Sequence, residues 1–239
     1  MSAPATAPPP DPNRPSLRLG SVAPDFSAET TLGPIKSFHE WLGDSWGILF
    51  SHPGDFTPVC TTELGEVARR AKAGDWEKRN IKVIGISANG LEEHYKWVKD
   101  INEYGTKSVS ETDVQYPIIA DGDRRISYLY DMLDYQDATN IDTKAGLPFT
   151  IRSVYVIDSA KKIRLKLDYP AVAGRNFDEI IRAIDAIQLG DKYKVATPVN
   201  WRPGEDVIVH ASVQGEEAKR LFPEHTVHYP YLRTTPLKV

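Results

Sequence analysis

Cys60 is the single cysteine of a 239-residue chain, and its neighbours point to nucleophilic chemistry. It opens an amphipathic segment in which Leu64, Val67, Ala68 and Ala71 recur at helical spacing. A thiol in a first helical turn faces free backbone N–H groups and the positive end of the macrodipole, and both favour thiolate over thiol. A lone cysteine is ordinarily a small buried hydrophobe, but the context argues for the reactive use. Pro53 stiffens the preceding loop and excludes water, Thr57 offers a hydroxyl three positions before the sulfur, and Thr61, Thr62 and Glu63 fill the first turn. A second pattern, Gly43-Asp44-Ser45-Trp46-Gly47, matches the Gly-x-Ser-x-Gly elbow of serine hydrolases. That elbow follows a strand and opens a helix. Ser45 instead precedes an apolar run, so a turn is the favoured reading. His225 and His228 lie in polar sequence without nearby acidic partners and are read as surface residues.

The elements that must position these residues alternate along the chain. Short apolar runs predict strands over Trp46–Ser51, Lys82–Ser87 and Tyr116–Ala120, and a hairpin formed by Ser153–Asp158 and Ile163–Leu167 about Ser159-Ala160-Lys161. Helical spacing predicts a turn over Phe38–Leu42 and helices from Cys60, over Leu91–Tyr104 and over Ile126–Leu133. Asn176-Phe177-Asp178-Glu179 reads as a capping box ahead of Ile180, Ile181, Ile184 and Ile187. Strand–helix alternation implies an α/β fold, a mixed central sheet flanked by helices. From about Asp191 the pattern lapses, with one expected strand, Val207–His210, and no evident core of its own. Residues 191–239 are therefore read as a C-terminal extension that packs on a second subunit.

Composition narrows the function classes. Lys+Arg 29 against Asp+Glu 33 gives a net charge of −4, which leaves no electrostatic footprint for nucleic acid or an anionic membrane. One thiol cannot form an intrachain disulfide, and it disfavours zinc or iron–sulfur sites built on cysteine. No apolar run approaches the length of a membrane span. Six of the 18 prolines fall within residues 1–15, so residues 1–16 read as an extended, flexible arm. The expected location is the cytosol, with the mitochondrion as the alternative.

The run Pro53-Gly54-Asp55-Phe56-Thr57-Pro58-Val59-Cys60-Thr61-Thr62-Glu63-Leu64 resembles the peroxidatic loop and helix of peroxiredoxins, whose signature is Pro-x-x-x-Thr/Ser-x-x-Cys. Arg152-Ser153-Val154-Tyr155-Val156-Ile157-Asp158 is similar to the strand that carries their active-site arginine. Gly174–Ile180 and Val195–Trp201 resemble the one-cysteine, peroxiredoxin-6-type subfamily. The resemblance implies a thioredoxin-like peroxidase domain over 17–190 with a C-terminal extension, acting on hydrogen peroxide and organic hydroperoxides without a cofactor. It assigns Cys60 as nucleophile, Thr57 as hydrogen-bond partner of sulfur and peroxide, Arg152 as holder of the thiolate, and Pro53 as shield. Glu63 would orient Arg152, Arg175 would be a second arginine nearby, and His52 matches a pocket histidine that contacts the oxidised sulfur. With no second cysteine, the sulfenic acid must be resolved by an external thiol: glutathione, a thioredoxin or a glutaredoxin. A homodimer is implied as well. Some members of the subfamily are also phospholipases, and Ser45 and His39 match the serine and histidine of that site. The acid position holds Ala160, with Asp158 two residues out of register. A peroxide sensor or redox-regulated chaperone is the alternative from another class.

Overall fold

The run Trp46-Gly-Ile-Leu-Phe-Ser is too apolar for an edge and becomes the middle strand of a five-stranded sheet, every residue after Trp46 being buried. In the computed structural model, which describes residues 16–237, the N-terminal elements are α1 (Phe38–Leu42), β1 (Trp46–Ser51), α2 (Pro58–Lys72), β2 (Ile81–Ser87), α3 (Leu91–Ser108), β3 (Ile118–Ala120) and α4 (Arg125–Leu129). A two-residue pair, β4 (Ile141–Asp142) and β5 (Leu147–Pro148), precedes β6 (Arg152–Ile157) and β7 (Ile163–Tyr169). The sheet order is β3-β2-β1-β6-β7. β1, β2 and β3 run parallel, whereas β6 is antiparallel to β1 and β7 to β6. Apart from Ser16, the Pro-rich arm expected over 1–16 lies outside the described residues.

The expected elements recur with altered ends. Pro117 has no N–H to give a ladder, and β3 begins after it, at Ile118. The helix expected to reach Leu133 stops at Leu129, because Asp131 turns to φ 52° and Leu133 forms a bridge with Thr150. One face of the sheet packs Leu49, Ile84, Ile86, Tyr155 and Ile157 against Phe26, Phe38, Leu42 and Tyr130. Phe26 stacks on Phe38 at 4.7 Å, and Tyr130 meets Tyr155 edge to face at 5.3 Å. α2 packs on α3.

The chain divides into two compact units, the first ending at Arg175 and the second starting at Asn176. In the second, Asn176 caps α5 (Phe177–Tyr193) by accepting from Glu179 N. α5 thus groups with the C-terminal unit, whereas the sequence reading placed it at the end of the preceding domain. β8 (Val195–Ala196), β9 (Val207–Val209), α6 (Gly215–Leu221), β10 (Thr226–Tyr229) and β11 (Leu232–Thr235) follow, the strands forming an antiparallel sheet in the order β10-β11-β9-β8. The expectation of one strand and no core is corrected. Leu189, Val195, Trp201, Val207, Val209, Val213, Ala218 and Phe222 form a buried cluster. Strands of two to four residues, with β9 pairing to β11 across α6, leave no periodicity to read.

Candidate active site

Cys60 is the third residue of α2, after Pro58, whose missing N–H costs nothing at a helix start, and Val59. Its side chain is fully buried, yet its neighbour is a cation: Arg152 Nη1 donates to Sγ at 3.2 Å and to Glu63 Oε2 at 2.8 Å. Glu63 lies three residues after Cys60, on the same helical face. Arg152 begins β6 and is fixed at its other edge by the Ala171 carbonyl, which accepts from Nε and Nη2 at 2.9 and 2.6 Å. Arg175 binds the same carboxylate, Nε to Oε1 at 3.1 Å and Nη2 to Oε2 at 2.7 Å, with its backbone N adding a third bond at 2.8 Å.

The ladder between β1 and β6 ends at Phe50↔Val154. Beyond it, Arg175 Nη1 donates to the Ser51 and Ser153 carbonyls at 2.8 and 3.3 Å, and its guanidinium lies over the Phe50 ring at 5.1 Å. The place where two strands part is thus filled by a cation that satisfies their carbonyls. Burial pushes the Glu63 carboxyl up, but Arg175 and then Arg152 more than offset this and hold it below the ordinary carboxylate range. Arg152, shared between the Glu63 carboxylate and the sulfur, places positive charge beside Cys60, where it can accommodate negative charge.

The loop from β1 to α2 contains His52, Pro53 and Thr57. Pro53 is buried. Thr57 is the N-cap of α2, but its hydroxyl donates to Gly54 O at 2.8 Å and makes no capping bond. The sequence expectation paired that hydroxyl with the sulfur. Its proton goes to Gly54, so toward any other group this hydroxyl can only accept. His52 is fully buried, with Nε2 3.0 Å from Asp55 Oδ1 and Nδ1 without a partner. Asp55 and His94 were not singled out for chemistry in the sequence. Asp55 Oδ2 lies 2.5 Å from His94 Nδ1, and no motif links residues so far apart in the chain.

Ser45 and His39 belong to separate networks. The Ser45 hydroxyl donates to Asn80 Oδ1 at 3.0 Å, while His39 Nε2 donates to the Ala23 carbonyl at 2.7 Å. Asp158 is taken up by the β6–β7 turn, accepting from Lys162 N at 2.9 Å and pairing with Arg164 at 3.2 Å. Gly43 adopts φ 58° at the end of α1, and a Cβ on Gly47 would meet Leu42 Cδ2 at 2.4 Å. Both glycines of the Gly-x-Ser-x-Gly match therefore have packing reasons, and Ser45 sits in a turn.

Known proteins share this arrangement of elements. Residues 19–166 match the AhpC/TSA family, and residues 186–223 match the C-terminal domain of 1-Cys peroxiredoxin. Peroxiredoxin PRX1, mitochondrial, of Saccharomyces cerevisiae is 48% identical over 226 residues, covering 95% of this chain and 83% of the relative. Peroxiredoxin-6 of Homo sapiens is 49% identical, covering 92% and 97%. The crystal structure of a cysteine-to-serine variant of peroxiredoxin 6 from Arenicola marina superposes with a TM-score of 0.85 at 44% identity, over 93% of this chain and 99% of that one. A yeast mitochondrial 1-Cys peroxiredoxin gives 0.79 at 46%, over 92% and 100%. With one cysteine, a thioredoxin-like α/β fold and both matched segments, the chain belongs to the AhpC/TSA family as a one-cysteine peroxiredoxin.

Proposed function

We propose that Cys60 is the peroxidatic nucleophile and that Arg152, oriented by Glu63 and Arg175, stabilises charge on the sulfur and on the departing oxygen. The observation that carries this reading is the 3.2 Å contact between Arg152 Nη1 and the chain's single thiol. The sulfur attacks the terminal oxygen of the hydroperoxide, the O–O bond breaks, and the leaving oxygen takes a proton as water or alcohol. Sulfur is oxidised to the sulfenic acid and the peroxide is reduced. Thr57 accepts a hydrogen bond from the peroxide, and Pro53 keeps water from the sulfur. An external thiol then attacks the sulfenic acid, water leaves, and a second thiol releases the disulfide and restores Cys60. Glutathione or a thioredoxin fits this role, since the yeast relative resolves its thiol through glutathione/thioredoxin systems; glutaredoxin is a further candidate. Hydrogen peroxide and organic hydroperoxides are the substrates.

Steady-state peroxide consumption, run with the glutathione and thioredoxin systems side by side, tests the assignment. Sustained turnover is expected; a sensor or redox-regulated chaperone would stop after one equivalent. Cys60→Ser is expected to fold and to lose turnover, because serine is a far poorer nucleophile at neutral pH. Excess peroxide without reductant is expected to add two or three oxygens to the Cys60 peptide, as sulfinic or sulfonic acid. Wild-type turnover by the serine variant, or an interchain Cys60 disulfide as the main product, would overturn the assignment.

The assembly read here is a homodimer, with the C-terminal unit against a second copy. Its support is the exposed set Val227, Tyr229 and Tyr231, the two tyrosines stacked at 5.5 Å. The compartment read here is the cytosol, with the mitochondrion as the alternative that the name of the yeast relative favours. No helix among the described residues is long and apolar enough to cross a membrane. Cell fractionation with an antibody to the native protein separates the two compartments.

A further inference from the structure

Behind the cysteine turn lies a fully buried chain of titratable groups that the peroxide step does not use. Asp55 sits between two imidazoles, Oδ1 3.0 Å from His52 Nε2 and Oδ2 2.5 Å from His94 Nδ1. His94 Nε2 lies 3.1 Å from the Ile119 carbonyl, which can only accept, so Nε2 carries a proton. Asp55 Oδ1 also accepts from the Ser87 hydroxyl at 3.2 Å, while Asp55 N donates to Asn89 Oδ1 at 3.0 Å. An ionised carboxylate with these partners requires a proton on His94 Nδ1 as well, or two lone pairs would face each other at 2.5 Å. His94 is then an imidazolium, Asp55 a carboxylate, and His52 a neutral ring protonated at Nε2. The His52 nitrogen left over, Nδ1, is buried and unpartnered.

The relay abuts the cysteine turn. The His52 ring packs on Trp97 at 5.0 Å, and the Trp97 indole donates to the hydroxyl of Thr61, the residue after Cys60, at 3.1 Å. We propose that Asp55 and His94 are positioning residues that lock His52 as its neutral, Nε2-protonated tautomer, so that the peroxidatic loop holds an unprotonated acceptor where a third cation would otherwise stand. The charges facing His52 are Asp55, His94 and Arg175. Arg175 and the imidazolium oppose a proton on His52, and Asp55 alone favours one. Burial pushes His52 down and the Asp55 hydrogen bond only partly offsets it, leaving it below the ordinary range. Burial pushes the Asp55 carboxyl up, but the hydrogen bonds from His52 and His94 outweigh that and hold it down. Both directions agree with the charge states drawn from geometry.

The relay is read directly by long-range ¹H–¹⁵N correlation of the full-length, ¹⁵N-histidine-labelled protein, with His52→Gln and His94→Gln spectra for assignment. At pH 7, His94 is expected to show two protonated ring nitrogens and His52 one unprotonated nitrogen. A neutral His94 at pH 7, or a His52 that titrates like free histidine, would overturn the proposal. The kinetic arm rests on the peroxidatic role of Cys60, which mass analysis of the Cys60 peptide tests separately. His94→Gln removes the imidazolium that opposes a proton on His52 and keeps Asp55, so its rate of sulfenate formation is expected to acquire an ionisation on the acid side of pH 7 that the wild type lacks. A wild-type pH profile in that variant would refute the proposal. If His94→Gln does not fold, the wild-type spectrum decides the charge states.

Discussion

At the residue scale, Arg152 ties three groups together: the Cys60 sulfur, the Glu63 carboxylate and the Ala171 carbonyl. A lysine ammonium is a point charge on a flexible stem and cannot span all three. Arg152→Lys is therefore expected to slow sulfenate formation by about 10²–10³-fold, the usual cost of losing one oriented donor to a developing anion. Stopped-flow fluorescence would read it, and an unchanged rate would place Arg152 outside the reaction. Glu63 serves stability as well. Its folded carboxyl is held below the ordinary value of 4.5, so as pH falls the unfolded chain takes the proton first. The stability this pairing supplies is whole above about pH 4.5 and is lost as pH falls through the folded value. Asp55 adds the same loss below its ordinary 3.8. His52, held below its ordinary 6.5, begins the decline earlier, since the unfolded chain protonates it first. The urea midpoint is expected to fall from pH 7 to pH 4. Glu63→Gln should lose about 3–5 kcal/mol at pH 7 by leaving two buried guanidinium groups without their anion, and should flatten the acid end. An equal midpoint at pH 7 and pH 4 would contradict this.

At the element scale, the turn from α1 into β1 explains the Gly-x-Ser-x-Gly match without hydrolase chemistry. Gly43 supplies the positive φ that ends α1, and Gly47 leaves room for the buried Leu42 side chain. Ser45 donates to Asn80 at the starts of β1 and β2, and the His39 ring nitrogen is taken by the Ala23 carbonyl. Ser45→Ala is expected to keep peroxidase activity near wild type, with negligible release of fatty acid from phosphatidylcholine by either protein. Serine-dependent lipolysis by purified protein would reverse that. In the C-terminal unit, Trp201 is buried among the cluster residues, and its indole N–H donates to the Glu205 carbonyl at 3.0 Å. Trp201→Ala is expected to cost about 3–5 kcal/mol. Denaturant melts should show it; a change under about 1 kcal/mol would mean that the unit does not fold around this side chain.

At the scale of the whole molecule, two units with separate clusters of buried residues divide the work. The first holds every member of the Cys60 site, and the second carries the exposed tyrosines proposed to face another copy. Light scattering of the full-length protein is expected to give a dimer, and Tyr231→Glu to weaken it by placing a charge in that surface. A monomer at working concentration would leave these side chains without the proposed role.

The element types and the reactive position were readable from the chain because each depends on near neighbours. Apolar runs and helical spacing marked β1, β2, α2 and α3, and the same local pattern put Cys60 in a first helical turn. Once the resemblance marked Cys60 as peroxidatic, the single cysteine required that resolution come from outside. Tertiary structure decided which distant groups meet. Arg152 lies 92 positions from Cys60, and Arg175 lies 112 from Glu63. The family resemblance named these arginines, but only the folded chain shows one carboxylate holding both. Asp55 and His94, 39 apart, gave no signal at all. Thr57 was the expected partner of the sulfur, yet the loop turned its proton toward Gly54. Periodicity records which face of an element is buried. The partner of a buried polar group is set by how the segments close on one another, since each such group must find the donor or acceptor that packing brings within reach.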